Sequence, residues 1–148
     1  MASPEPTPIP TAAVLLIGNE LLSGKIRDQN GHALAKMMRR RGIRLLEVCT
    51  VEDDLESIGA ALLRLLARCP LVFTSGGVGP THDDVTLEAV AHALGRPLVR
   101  DPAMEQILRE HFGERVTPAA LKMADLPAGT ELTARHGWPV MRLALARE

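Results

Sequence analysis

Residues Ala12–Ile17 read A-A-V-L-L-I, an unbroken apolar run closed by Gly18. Its length and the terminal glycine favour a strand over a helix. A strand that is apolar at every position has no face to offer water. It therefore belongs in a parallel sheet covered on both sides, and the rest of the chain must supply the cover. Asn30 is placed to cap a helix running to about Arg41, with Leu34, Met37 and Met38 on its inner face and Gly42 as its stop. Ile43 to Val51 is a second strand candidate. Asp53 or Asp54 caps the next helix, in which Leu55, Ile58, Leu62, Leu65 and Leu66 recur at helical spacing. Pro70 ends that connection, and Leu71–Thr74 forms a third strand. A helix follows from about Asp83 to Leu94, stopped by Gly95.

Short apolar strands alternating with amphipathic helices imply an α/β fold, a parallel sheet with helices on both faces joined by right-handed crossovers. The 148 residues suit one domain, 12–148, preceded by a flexible tail, 1–11, that contains four prolines. Hydrophobic residues make up 46% of the chain but aromatics only 2%, so the core must be aliphatic. Beyond Gly95 the pattern is weaker. Pro97 to Arg100 reads as a short extended segment, and Asp101 caps a helix with Pro102 at its first position. That helix ends at Gly113, Thr117-Pro118 opens a short helix through Met123, Leu126–Thr130 reads as a turn, and Pro139–Leu145 as the start of an edge strand.

In sheets of this kind ligands bind beyond the carboxyl ends of the strands. Three polar segments fall there: Gly18–Gly24, Val51–Asp54 and Thr74–Asp84. The last is the richest. Residues Phe73 to Thr86 read F-T-S-G-G-V-G-P-T-H-D-D-V-T, with Gly76, Gly77 and Gly79 within four positions. Glycines let backbone N–H groups approach a ligand where a Cβ would clash, and consecutive N–H groups form an anion site. The plainer alternative is a tight strand-to-helix turn. Thr74, Ser75, Thr81, Asp83 and Asp84 crowd the same turn and favour a ligand. Of the two acids at the expected helix start, one serves as cap. The other is free to accept from a ligand's N–H groups or to hold a hydrated divalent cation. His82 beside them reads either as a member of the site or simply as a solvated loop residue. In the first loop Glu20, Lys25 and Arg27 lie near the rim. They read either as a polyphosphate or pterin site in which Lys25 faces a phosphate, or as a solvated Glu–Lys loop of little energetic weight.

Other classes are excluded. No G-K-[ST] follows the glycines, strand one ends in a single glycine, and no nucleophile elbow is present. A net charge of −1 provides no broad basic field for nucleic acid, and the run Arg39–Arg40–Arg41 suits a helix C-terminus. Cys49 and Cys69 show no metal spacing and fit free thiols in a reducing cytoplasm. No apolar run reaches membrane-spanning length, so no membrane partner is expected.

Taken together, Gly18-Asn19-Glu20-Leu21-Leu22-Ser23-Gly24, Asp28-Gln29-Asn30 and Thr74 through Thr86 resemble the molybdopterin-binding domain family (MoaB/Mog-like). The branch resembled is that of the N-terminal domains of the competence/damage-inducible CinA proteins. The resemblance covers about Ala13 to Gly95 and implies a three-layer α/β/α sandwich with a mostly parallel sheet. It further implies that Ser75, Gly76, Gly77 and Gly79 line a phosphate site, and that Asp53 and Asp84 contact the pterin or the metal-bearing end. Gly18, Glu20, Thr74 and Thr81 join the expected ligand-binding set. The expected ligand is a small phosphate-bearing molecule, molybdopterin or a nucleotide, and the expected assembly is a homo-oligomer. CinA-like domains are also associated with metal-dependent ADP-ribose pyrophosphatase activity. On that alternative Glu20, Asp83 and Asp84 hold Mg²⁺ or another divalent cation, with Asp83 and Asp84 catalytic. This chain departs from the branch in having Asn19 where Asp is common. It also ends before a P-G-V-P segment that follows the strand near Val140, so the domain is expected to be truncated there.

Overall fold

The computed structural model describes residues 9–133 and 138–146. The central sheet has three parallel strands in the order β2-β1-β3, formed by β1 (Thr11–Ile17), β2 (Arg44–Val51) and β3 (Leu71–Ser75). The expected parallel sheet is therefore present, and all three of its strands are parallel. Strand β1 lies in the middle, and residues 12–17 are all at most 2% exposed, as a run with no polar face requires.

Alternate side chains of β1 serve two cores. Ala13, Leu15 and Ile17 pack against helix α3 (Leu55–Leu66) through Ile58, Leu62 and Leu65, with Ala89 of α4 (Thr86–Ala93). Ala12, Val14 and Leu16 pack on the other face against Met38 of α2 (Asn30–Arg40), with Leu34 and Phe73 beside it. Helices on both faces of one sheet make the three-layer α/β/α arrangement. The register of β1 on β2 slips between Ala12 and Ala13. The bulge leaves Leu46 unpartnered in the register and turns Glu47 to the α3 side, where it pairs with Arg64 at 2.7 Å.

A smaller third core lies beyond the sheet. Met104 and Leu108 of α5 (Pro102–Phe112) meet Met123, Ala124 and Leu126. Around it are β4 (Leu98–Arg100), α6 (Pro118–Leu121) and β5 (Asp125–Pro127), with β4 and β5 antiparallel. Arg100 ties the two strands through a forked contact with Asp125, at 2.6 and 3.1 Å. Strands β6 (Thr130–Thr133) and β7 (Val140–Leu143) form an antiparallel pair.

Four local expectations need correction. Asn30 does not cap α2: the Asp28 carboxylate accepts from the N–H groups of Asn30 and Gly31 instead. The segment Leu126–Thr130 is not simply a turn, because Leu126 and Pro127 pair with β4 and Thr130 opens β6. The first loop contains one turn of helix, α1 (Asn19–Leu22). Helix α4 starts at Thr86, three residues after the expected Asp83. Asp84 is engaged by Thr81 in the preceding loop.

Candidate functional site

The three strands deliver their carboxyl ends to one rim, and the loops that follow them converge. A cleft of about 500 Å³ is lined by Asn19, Glu20, Ser23 and Lys25 from the first loop, Asp53 from the second, and Gly77, Thr81, Asp83 and Asp84 from the third. The capping ambiguity at α3 is resolved by a single contact. The Asp54 carboxylate accepts from Ser57 N–H at 2.9 Å, which leaves Asp53 for the cleft. Asp53 is then locked to the first loop: its Oδ2 accepts from Asn19 N–H at 2.8 Å, and its own N–H donates to Asn19 Oδ1 at 3.4 Å. An amide serves this clasp well, because it accepts from the backbone without adding a fifth negative charge to the cleft.

The glycine turn is held from two sides. Gly76 has φ +105°, and a Cβ there would lie 1.9 Å from the carbonyl oxygen of Ile17. Gly77 has φ +61°, and a Cβ there would lie 2.3 Å from Thr86 Oγ1. The turn thus presses against the end of β1 and the start of α4, and only glycine fits either position. Thr86 is buried, donates its hydroxyl to Gly76 O at 2.9 Å, and donates its N–H to Gly77 O at 3.0 Å.

The two acids divide their work differently from the expected cap-plus-free pair. Asp84 Oδ2 accepts from Thr81 N–H at 3.0 Å and from the Thr81 hydroxyl. It braces the loop instead of capping α4. Burial pushes its carboxyl up, but the Thr81 hydroxyl and the N–H groups of Gly79 and Thr81 outweigh this and hold it below its ordinary value. Asp83 is exposed at the rim, 3.0 Å from the still more exposed His82. Glu20 folds back over Gly18, whose position would put a Cβ 2.5 Å from Glu20 Oε1.

Of the expected ligand-binding residues, Glu20, Asp53, Gly77, Thr81 and Asp84 line the cleft. Gly18 and Gly76 are not in its lining: Gly18 faces the Glu20 carboxylate and Gly76 the carbonyl of Ile17. Gly79 packs on the Asp84 carboxylate. Thr74 points elsewhere: it sits beside Leu15 in the register and lines an apolar groove with Leu62, Val72 and Met141. Ser75 faces α2 and accepts from Asn30 Nδ2 at 2.8 Å. Its neighbours in the strand alternate, which is why Thr74 and Ser75 cannot share a face. Glu20, Asp83 and Asp84 share the cleft, yet among the described residues no three His, Cys, Asp or Glu side chains converge as a metal site. The residues that reading the sequence for function missed are Asn19 and Thr86; Lys25, read either as facing a phosphate or as part of a solvated loop, lines the cleft. A Thr just after a glycine-rich turn, at the first position of an apolar helix, was the available signal for Thr86.

Comparison with known proteins places this geometry in a family. Residues 13–142 match the family described as "Probable molybdopterin binding domain". The chain belongs to that family. A CinA-like protein from Desulfosudis oleivorans is 39% identical over 123 residues, covering 81% of this chain and 30% of that protein. A protein from Aeropyrum pernix is 40% identical over 125 residues, covering 82% of this chain and 47% of its own length. The chain thus spans between about a third and a half of these curated relatives. Among solved structures, the CinA protein of unknown function from Thermoplasma acidophilum superposes with a TM-score of 0.84 at 31% identity, over 91% of this chain and 82% of that one. The tungsten cofactor synthesizing protein MoaB from Pyrococcus furiosus gives 0.55 at 18% identity, over 91% and 81%, and shares the fold. No helix among the described residues is long and apolar enough to cross a membrane.

Proposed function

We propose that this domain binds the phosphate of a pterin such as molybdopterin, or of a nucleotide, at the Thr74–Asp84 glycine-rich loop. The observation that carries this reading is the convergence of all three strand-end loops on one polar cleft whose wall is the glycine turn. Membership of a molybdopterin-binding family supports the pterin as the ligand class. Backbone N–H groups and Lys25 supply donors for phosphate oxygens. Asp53, held by Asn19, presents a carboxylate suited to the N–H edge of a pterin or purine ring. Asp84 keeps the loop in shape and stays ionised across the neutral range because its hydrogen bonds favour the charged form.

The hydrolytic alternative, a metal-dependent ADP-ribose pyrophosphatase, needs a resident cation. Carboxylate oxygens are the correct donor class for Mg²⁺. However, Glu20, Asp83 and Asp84 do not converge, and Asp84 Oδ2 is already occupied by Thr81. Binding is therefore the reading these residues support better.

Calorimetric titration with a molybdopterin-type ligand and with ADP-ribose, each with and without Mg²⁺, tests this when product analysis is run on the same samples. The expected result is saturable binding without products, weakened at least tenfold by Asp53→Ala. Metal-dependent release of AMP and ribose phosphate from ADP-ribose would replace the binding reading with the hydrolase.

A further inference from the structure

Thr86 is the one polar side chain among the described residues that is fully buried, at 1% exposure. It sits at the first position of α4, outside the cleft. Both of its hydrogen-bonding groups reach the glycine turn: the hydroxyl holds Gly76 O and the N–H holds Gly77 O. In a trans peptide the C=O of one residue and the N–H of the next point in opposite directions. Fixing the carbonyl of Gly76 on the buried hydroxyl of Thr86, and that of Gly77 on its backbone N–H, therefore turns the N–H groups of Gly77 and Val78 outward. Among the described residues neither of those N–H groups meets a protein acceptor. Two consecutive outward N–H groups on a glycine turn form a nest suited to an oxyanion.

We infer that Thr86 is the positioning residue of the anion seat, acting through the peptide planes it anchors and never touching the ligand. This rests on the proposal that a phosphate binds at the glycine turn. The alternative role for a buried threonine is packing alone, and the two separate chemically. Valine matches threonine in shape and lacks the hydroxyl, whereas serine keeps the hydroxyl and loses the methyl. If Thr86 positions, Thr86→Ser preserves the seat and Thr86→Val does not. If it only packs, the order reverses.

The test uses the whole chain, labelled with ¹⁵N, and inorganic pyrophosphate as the probe. In the parent and in Thr86→Ser, the Gly77 and Val78 amide signals should shift saturably on titration. In Thr86→Val, affinity should fall about tenfold, the scale set by one buried hydrogen bond left unmade. Equal affinity in Thr86→Val and the parent would overturn the inference, as would a larger loss in Thr86→Ser than in Thr86→Val. A second measurement needs no ligand. Hydrogen exchange at the residue-86 amide, which donates to Gly77 O, should quicken in Thr86→Val and stay slow in Thr86→Ser. Unchanged exchange in both variants would show that the hydroxyl does not hold the turn. If exchange follows the expected order while pyrophosphate shifts no loop amide in the parent, the phosphate reading fails and the anion-seat role fails with it; only the hydroxyl's hold on the turn survives.

Discussion

Replacing Gly76 by alanine tests how tightly the glycine turn is built into the sheet. Two separate costs apply. The first is conformational: a non-glycine residue at φ +105° pays of order 1–3 kcal/mol. The second is steric. The new Cβ would start 1.9 Å from Ile17 O and 3.0 Å from its carbonyl carbon. Both are backbone atoms of the central strand, so no rotamer change relieves the contact. To reach ordinary van der Waals contact, the end of β1 or the turn must retreat by well over an ångström. The residues behind Ile17 form the larger core, and overpacking of a filled core adds about 1–3 kcal/mol. The total expected loss is about 3 kcal/mol or more. Gly95→Ala provides the control. It shares a positive φ, at +61°, but a Cβ there meets nothing within 4 Å. Its cost should be only the conformational part, about 1 kcal/mol. Urea unfolding of parent and both variants, followed by circular dichroism, reads the difference, provided the m-values agree. If Gly76→Ala costs no more than Gly95→Ala, the turn is not wedged against β1, and the account of why glycine is needed there is wrong.

Leu15→Ala should cost 2–5 kcal/mol by the same assay, because the side chain is fully buried between β1 and α3 and the closed sheet on either side limits collapse into the space; a cost below 1 kcal/mol would contradict the two-sided burial of β1. Asp84→Asn should change the acid limb of the pH–stability profile. The native carboxyl lies below its ordinary value of 3.8, so its contribution is fully present above that value and is lost as pH falls through the lowered native one. The parent's advantage over Asp84→Asn should therefore be constant from pH 5 to 8 and shrink below pH 4; a gap that widens toward low pH would refute the assignment.

How much was legible in the sequence depended on the range of the interaction. Residues 12–17 announce a two-sided strand because burial on both faces leaves a direct compositional mark, and the amphipathic period of 55–66 does the same for a helix. The meeting of three loops on one rim followed from chain direction alone: parallel strands place all their carboxyl ends together. Local carboxylate contacts were less readable. Asp28 and Asp54 accept from N–H groups two or three residues on, whereas Asp84 accepts from that of Thr81, three residues back. The pattern of an acid before an apolar run does not say which acid caps, or whether the cap belongs to a helix or to a loop. The helix starting at Thr86 instead of Asp83 is the consequence.

Other features have no local signature. The clasp between Asn19 and Asp53 joins residues 34 apart, and the contact of Asn30 with Ser75 joins residues 45 apart. Thr74 and Ser75 looked equivalent in the sequence, but strand pleating sends one into an apolar groove and the other to α2. Thr86 looked like an ordinary residue at a helix start. The sequence by itself determined the layered α/β class, the rim and the glycine turn, since these follow from periodicity, chain direction and the steric permissiveness of glycine. Only the tertiary structure decided which acids face the cleft, which carbonyls are anchored and which N–H groups are left to point outward, because those depend on contacts between segments that the chain order keeps apart.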